Sequence, residues 1–377
     1  MDKSYIFLDL EAVNRPYMAE IRHALERVAL SGRYIGGGEV DAFEAELAAA
    51  TGTRFAIGTG NGLDALRIIL RAYVELGCLS AGDEVVVPAN TYIASVLAIS
   101  DAGLTPVPAD VDASTSLMTA ETVAAVLTPR TRAIMPVHLY GRVCWSEALR
   151  ELADSHRLKV IEDNAQAIGA RAAVAGRSGC HRAGALGDAA AFSFYPTKNI
   201  GALGDAGAIT TDDAELAAAA RAIANYGSDR RYHNIYKGVN SRLDPLQAAV
   251  LRVKLPHAGR ENARRRAVAD TYFDCIKNPA VELPAPAAPD ECVWHQFVVR
   301  TAHRDAFREY LLHHGVQTDV NYPVPVHLQP CYAGELSGTK APEAELQSRT
   351  LVCLPVSACT SVSDAREISE IINSYRP

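Results

Sequence analysis

The chain has 377 residues, 49% of them apolar, which is enough for a large core and long enough that a large domain followed by a smaller one is expected. The formal charge is −7, with acidic and basic residues interspersed rather than sorted into blocks, which argues against a nucleic-acid or membrane surface. The eight cysteines (78, 144, 180, 275, 292, 331, 353 and 359) are scattered without a CxxC pair in a chain too large to need disulfide staples, so free, mostly structural thiols are expected.

Residues Met1–Leu10 lack the basic start, apolar stretch and small-residue cleavage site of a secretory signal, and no later run approaches membrane-spanning length; the sequence predicts a cytoplasmic protein. From about Val40 to Ile209 helical periodicity alternates with short apolar runs, the pattern of a parallel sheet wrapped by helices. Strands are predicted at Phe55–Ile57, Glu84–Val87, Thr105–Val107, Arg132–Val137, Lys159–Glu162, Ala189–Phe194 and Ala206–Thr210. Helices are predicted at Val40–Ala50, Leu63–Leu76, Ile93–Ala102 and Ser146–His156, with an alanine-rich helix around Leu216–Ala222. After Leu243 the rhythm becomes one long helical stretch through Gln247, Arg252 and Arg266, followed by a proline-studded segment from Asn278 to Asp290. The large domain is therefore placed at residues 1–245 and a smaller α+β domain, including the linking helix, at 246–377. In the latter a strand is expected near Val293–Arg300 and helices near Asp305–His314 and Asp364–Tyr375.

Three segments carry chemical signals. The glycine-rich turn Gly58-Thr59-Gly60-Asn61-Gly62-Leu63, between a strand and a helix, suits an anion, because glycine lets the backbone approach and a helix start offers free NH groups. Alone it reads equally as a structural tight turn, and its spacing is not that of a dinucleotide site. Asp163 stands at the end of an apolar strand, at the edge where parallel sheets bind ligands, although a helix cap is the commoner role for such a residue. Lys198 follows another strand in an apolar loop flanked by glycine; burial there would lower its pKa and free the amine as a nucleophile. A phosphate cradle, an acid and an uncharged lysine at strand ends are together what pyridoxal phosphate requires.

At this point the resemblance is specific. Arg33-Tyr34-Ile35-Gly36-Gly37, the glycine-rich turn, Pro88-Ala89-Asn90-Thr91-Tyr92, Glu162-Asp163-Asn164-Ala165-Gln166, Ser193-Phe194-Tyr195-Pro196-Thr197-Lys198 and Asn240-Ser241-Arg242-Leu243-Asp244-Pro245 follow the order of the DegT/DnrJ/EryC1/StrS sugar aminotransferases, which the chain resembles over nearly its whole length. The resemblance implies an aspartate-aminotransferase-like α/β fold (fold type I of the pyridoxal-phosphate enzymes), with a mainly parallel seven-stranded sheet and a smaller C-terminal α+β domain. It implies further that Lys198 carries pyridoxal 5'-phosphate as a Schiff base and then serves as the proton-transfer base. The cofactor would pass through its pyridoxamine 5'-phosphate form in each cycle. Asp163 would pair with the pyridine nitrogen, Gln166 would bond the phenolic oxygen and Tyr92 would stack on the ring, while Asn61, Gly62, Leu63 and Ser193 would hold the phosphate. Asn240 resembles a residue that reaches the phosphate from a neighbouring subunit, which implies a homodimer with shared sites. Taken without the resemblance, Tyr92 reads as core filling and Ser193 as a residue satisfying the backbone. His138 reads as a hydrogen-bonded core histidine outside the site.

Within the family, Gly60–Leu66, Asn225-Tyr226-Gly227-Ser228 and Tyr232 look most like enzymes that aminate C3 of dTDP-linked 3-keto-6-deoxyhexoses, with L-glutamate as amino donor. The segment Asn321–Pro330 resembles a substrate-binding stretch of that group, which implies that Tyr322 and His327 lie near the sugar, as the Asn225–Ser228 resemblance implies for Tyr226, although the family commonly has histidine where this chain has Asn321. A 4-keto sugar nucleotide or a keto-inositol stays open as substrate. A dehydratase on the same scaffold is disfavoured, since those relatives replace the lysine with histidine. A catalytically inactive, regulatory pyridoxal-phosphate-binding protein is the reading from a different class.

Overall fold

The computed structural model describes residues 3–174 and 179–377. The strands are β1 (Phe55–Thr59), β2 (Glu84–Pro88), β3 (Thr105–Ala109), β4 (Thr131–Ile134), β5 (Lys159–Asp163), β6 (Arg171–Ala173), β7 (Cys180–Arg182), β8 (Ala189–Ser193), β9 (Gly207–Thr211), β10 (Ser228–Arg230), β11 (His233–Asn234), β12 (Phe297–Arg300) and β13 (Leu351–Leu354). Seven of them form one sheet in the order β1-β9-β8-β5-β4-β2-β3. All seven strands expected from the apolar runs are present. The pairings β3-β2, β2-β4, β4-β5 and β5-β8 are parallel, while β9 runs against both β8 and β1.

That single reversal matters for the site. Because β9 opposes both neighbours, its first residue, Gly207, pairs with Thr59 at the end of β1 and with Ser193 at the end of β8. The carboxyl ends of β1, β2, β5 and β8 therefore share one edge, and the loops that leave them converge there.

Helices cover the sheet. Gly62–Glu75 starts at Asn61, whose side chain accepts from the Asp64 NH, and it buries Leu66, Ile68, Ile69 and Leu70 in the main core with Val85, Val87, Ile161 and Ile209. Truncating one of these side chains to alanine is expected to cost about 2–5 kcal/mol. The strand expected at Arg132–Val137 ends at Ile134, because Pro136 has no NH to donate; the chain continues as a lone bridge between Val137 and Asp163. The long helical stretch after Leu243 is two helices. Pro245–Lys254 packs on the helices Met18–Ser31 and Gly38–Thr51, and Ala258–Cys275 packs on Val362–Ser374. A one-turn 3₁₀ segment at Leu255–His257, containing Pro256, separates them.

A second core gathers Val268, Tyr272, Phe297, Val299, Phe307, Leu311, Val352 and Ile368 around the antiparallel pair β12–β13, with Tyr5 of the N-terminal segment among them. The strand expected to start at Val293 starts at Phe297, since Trp294 takes a left-handed φ of 48° and breaks the extended run. Among the described residues all eight cysteines are free, and no helix is long and apolar enough to cross a membrane.

Candidate active site

A cavity of about 590 Å³ opens at the shared strand edge and is lined by Asn61, Gly62, Leu63, Tyr92, Asp163, Gln166, Ser193, Lys198 and Tyr322. Nine of the residues singled out in the sequence thus meet in one place, although they span more than 250 positions.

β5 delivers the acid. Side chains alternate along the strand, so Asp163 faces the cavity while Glu162 is turned the other way and fully buried. Asp163 is buried, and its Oδ2 accepts from the Ser95 hydroxyl at 2.7 Å while its Oδ1 accepts from the Ala165 NH at 3.1 Å. Ser95 spends its proton on that carboxylate, so Thr91, 2.9 Å from Ser95, must donate to it. Glu162 is also satisfied without entering the site: it accepts from the NH groups of Gly184, Leu186 and Gly187 and from His138 Nε2, each at 2.8 Å. His138 Nδ1 accepts the Cys144 NH, which puts the imidazole proton on Nε2. His138 is therefore part of the frame behind the site, as expected.

β8 delivers the lysine. Its loop turns back on itself through Lys198 NH to Tyr195 C=O and Ala202 NH to Phe194 C=O, both 2.8 Å. Lys198 is walled in by protein apart from its access to the cavity, and desolvation lowers its pKa to about 8, with the negative charge of Asp163 pulling it partly back up. A lysine in that state has a substantial neutral fraction near physiological pH and can act as a nucleophile.

The opposite end of the cavity is an anion cradle. In the first turn of the helix Gly62–Glu75, the Asp64 NH is capped by Asn61 Oδ1 and the Ala65 NH by the Asn61 carbonyl; the NH groups of Gly62 and Leu63 have no acceptor among the described residues. The close fit has a steric cause. A Cβ added at Gly62 would stand 2.7 Å from Ser193 Cβ, and one at Gly207 would overlap the Asn61 carbonyl. Ser241 reinforces the turn from behind by accepting the Gly60 NH at 3.0 Å. The Asn61 side chain is committed to its own helix, so its share in holding an anion falls to its backbone and position.

The remaining walls are aromatic. Tyr92 is half exposed, and its ring lies 5.1 Å from that of Tyr322. Gln166 accepts the Tyr140 NH at 2.6 Å and turns its Nε2 toward the Tyr322 hydroxyl at 3.2 Å. Tyr140 also donates its hydroxyl to the Asn321 carbonyl, so Asn321 supports Tyr322 through its backbone. Pyridoxal phosphate fits this set of residues: an anion cradle, an acid, a lysine with a lowered pKa and aromatic rings line one cavity.

Three expected site residues do not line the cavity. His327 is buried on a 3₁₀ turn, with Nε2 3.3 Å from Glu345 Oε1, outside the cavity lining. Tyr226, at φ 59°, is half exposed beside Arg242, and Asn240 is exposed and bridged to Asn225. In one chain neither reaches the cavity. Conversely, Thr91, Tyr195 and Thr197, which lie in the motif segments without an assigned role, and Ser95 and Asp205, which no sequence signal marked, belong to the site or its support. Ser95 acts on Asp163 from 68 positions away, a distance that no local pattern reveals.

Comparison with known proteins agrees with this geometry. The model of the DegT/DnrJ/EryC1/StrS aminotransferase family matches residues 17–373. A dTDP-3-amino-3,6-dideoxy-alpha-D-galactopyranose transaminase from Aneurinibacillus thermoaerophilus is 48% identical over 369 residues, covering 98% of this chain and 99% of that protein. Among solved structures, S. venezuelae DesV in complex with a ketimine intermediate is similar with a TM-score of 0.92 and 45% identity over 98% of both chains. NtdA from Bacillus subtilis with bound cofactor PMP is similar with a TM-score of 0.88 and 30% identity, over 99% of this chain and 86% of that one.

Proposed function

The chain belongs to the DegT/DnrJ/EryC1/StrS aminotransferase family, and on that footing we propose that it transfers an amino group from L-glutamate to C3 of a dTDP-linked 3-keto-6-deoxyhexose, in deoxyamino-sugar biosynthesis. The observation that carries this reading is the meeting of Lys198, Asp163 and the Gly62–Leu63 helix start in one cavity. The choice of C3 and of a dTDP sugar is supported by the relative from Aneurinibacillus, whose named product is a 3-amino sugar on dTDP.

When bound, pyridoxal 5'-phosphate supplies the carbonyl that takes up the amine and a ring that accepts electrons from the donor's α-carbon. Lys198 Nζ holds the cofactor and, once released, takes and returns the proton at the α-carbon in both halves of the cycle. Asp163, oriented by Ser95, keeps a proton on the ring nitrogen. Gln166 Nε2 would donate to the phenolic oxygen, Tyr92 would cover a ring face, and the NH groups of Gly62 and Leu63 with the Ser193 hydroxyl would hold the phosphate. Tyr322 stands at the sugar side.

Tyr226 and Asn240 enter this scheme from a second copy of the chain. Both lie in an exposed region that also carries Tyr232 and Ile235, apolar surface of the kind a homodimer covers. The test is to incubate purified protein with L-glutamate and a panel of dTDP-linked 3-keto and 4-keto hexoses and a keto-inositol, then to locate the new nitrogen by NMR. Amination of the 3-keto sugar alone is expected; nitrogen at C4, turnover of the inositol alone, or no turnover overturns the reading.

A further inference from the structure

Directly after Lys198 in the chain, Asn199 is buried and uses its whole side-chain amide. Its Nδ2 donates to Asn262 Oδ1 at 2.9 Å and to the Val293 carbonyl at 3.3 Å, and its Oδ1 accepts from His295 Nδ1 at 2.9 Å. None of these partners belongs to the sheet. Asn262 stands on the helix Ala258–Cys275 and passes the connection on by donating to the Ile168 carbonyl at 2.9 Å; Val293 and His295 lead into β12. Further along the same loop, the buried Lys254 ammonium donates to the Gly201 carbonyl at 2.6 Å and to Asn14 Oδ1 at 2.9 Å. Leu203 of the same loop donates its NH to Gln247 Oε1 at 2.9 Å, so side chains from outside the sheet grip the loop at Asn199, Gly201 and Leu203.

We propose that Asn199 and His295 are positioning residues for Lys198: their hydrogen bond, extended through Asn262, fixes where the lysine amine stands relative to the acid on β5. The proposal rests on Lys198 being the cofactor lysine. Two different parts of the fold supply the two partners of the chemistry. Asp163 is fixed by the sheet, whereas Lys198 leaves the sheet on a loop, so its place is set by whatever grips that loop from the far side. A buried amide with all its hydrogen-bonding capacity used holds one orientation, which apolar packing of the same volume would not specify.

The protonation state of His295 is suited to the task. Desolvation pushes its pKa well below the ordinary histidine value, and the positive charges of Lys198 and Arg265 push it the same way. Arg265 itself is buried and donates to the carbonyls of Val356, His295 and Trp294, so an additional cation at His295 is opposed from two sides. The imidazole therefore stays neutral. Since Asn199 Nδ2 is occupied elsewhere, the Asn199 atom facing it is the acceptor, and the imidazole proton sits on Nδ1.

The experiment uses cofactor-loaded enzyme and compares wild type with His295→Ala, which deletes the donor, and His295→Asn, whose side-chain NH can replace the Nδ1 proton. The readouts are the pH titration of the cofactor's visible absorption band and the separate values of kcat and KM for the sugar. His295→Ala is expected to displace the band's titration midpoint by at least about half a unit and to lower kcat roughly ten- to a hundredfold with little change in KM, as for a misplaced reacting group. His295→Asn is expected to restore both. Should His295→Ala fail to fold, Asn262→Ala must produce the same displacement. A wild-type titration and kcat in His295→Ala, or in Asn262→Ala when that variant stands in, with only thermal stability reduced, overturns the positioning role. Absence of any visible band in wild-type protein overturns instead the assignment of Lys198 on which the proposal rests.

Discussion

Ser95 Oγ stands 2.7 Å from Asp163 Oδ2 and is the one side-chain donor to that carboxylate among the described residues. That hydroxyl, with the Ala165 NH on Oδ1, fixes the direction in which the carboxylate faces the cavity. Replacing Ser95 by alanine leaves Asp163 in place but removes a charge-assisted bond worth about 1.5–3 kcal/mol. The expected outcome is roughly a tenfold or greater loss in kcat/KM with the fold unchanged by circular dichroism. Asp163→Asn goes further: protein and cofactor still associate, but the glutamate half-reaction, followed by loss of the visible band in stopped flow, slows by about 10²–10⁴. Wild-type rates in Asp163→Asn would remove that residue from the site.

Lys198 gives a prediction with a defined pH window. Its pKa is lowered from 10.5 to about 8, so in the cofactor-free protein the unfolded chain binds the extra proton between those two values and the folded chain does not. Stability therefore rises with pH from about 8 to about 10.5, as the cost of burying the ammonium is relieved, and below about pH 8 the full cost is present. Lys198→Met in the cofactor-free protein is expected to be more stable at pH 7 by roughly 1–3 kcal/mol in urea denaturation, with the advantage shrinking as pH rises through that window. The same shift predicts that cofactor capture by the wild-type protein accelerates through about pH 8. A flat stability difference across the window would contradict the burial of this amine.

Steric closeness at the anion cradle can be tested by a pair of substitutions. Gly62→Ala places a methyl 2.7 Å from Ser193 Cβ, with its Cα at 3.2 Å, so β8 or the helix start must move. A cost of about 1–3 kcal/mol is expected, together with weaker cofactor binding because the free NH groups shift with the turn. Ser193→Gly removes the opposing Cβ. Combined with Gly62→Ala it should recover more stability than additivity predicts, which a double-mutant cycle measures by urea unfolding. Additive energies would place the clash elsewhere.

How much of this was legible in the sequence depended on the range of the interaction. The seven sheet strands were readable because each is a short apolar run, and Asp163 and Lys198 because each follows such a run at the edge where ligands bind. Local segments also marked the Gly60–Leu63 turn. What local pattern could not supply was the direction of a side chain outside regular structure. His327 and Tyr322 lie in the same segment, yet one pairs with Glu345 and the other faces the cavity, because the turn Val326–Leu328 reorients the chain between them. Contacts made at long separation were equally hidden: Ser95 with Asp163, and Asn199 with His295 96 positions away.

Glu162 shows that a residue can be indispensable beside a site without entering it. Its two oxygens accept four donors, three of them NH groups of the 184–187 loop and the fourth His138. Glu162→Gln exchanges one acceptor oxygen for an NH₂ group facing NH donors, leaving at least one buried donor unpaired. A loss of about 2–4 kcal/mol is expected in urea denaturation, and since Asp163 is the next residue, a fall in kcat at temperatures where the variant is still folded. His138→Ala removes one of the four donors and also the acceptor of the Cys144 NH, and it empties a fully buried site, so a comparable cost is expected. Wild-type stability in Glu162→Gln would mean that the loop contacts carry little of the energy.

The shared-site arrangement is open to a complementation test. In a single chain Asn240 is exposed and does not line the cavity, while its neighbour Ser241 braces the Gly60 turn of the same chain. If Asn240 serves the phosphate of the other subunit, Asn240→Ala alone and Lys198→Ala alone are each impaired, but for different sites. Unfolding and refolding the two variants together gives half heterodimers, each with one site that combines an intact Lys198 from one chain and an intact Asn240 from the other. The mixture is then expected to regain roughly a quarter of wild-type activity, because half the dimers carry one good site of two. If both residues of a site came from the same chain, each heterodimer would hold one Lys198→Ala site and one Asn240→Ala site. The mixture would then show only the average of the two variants measured alone.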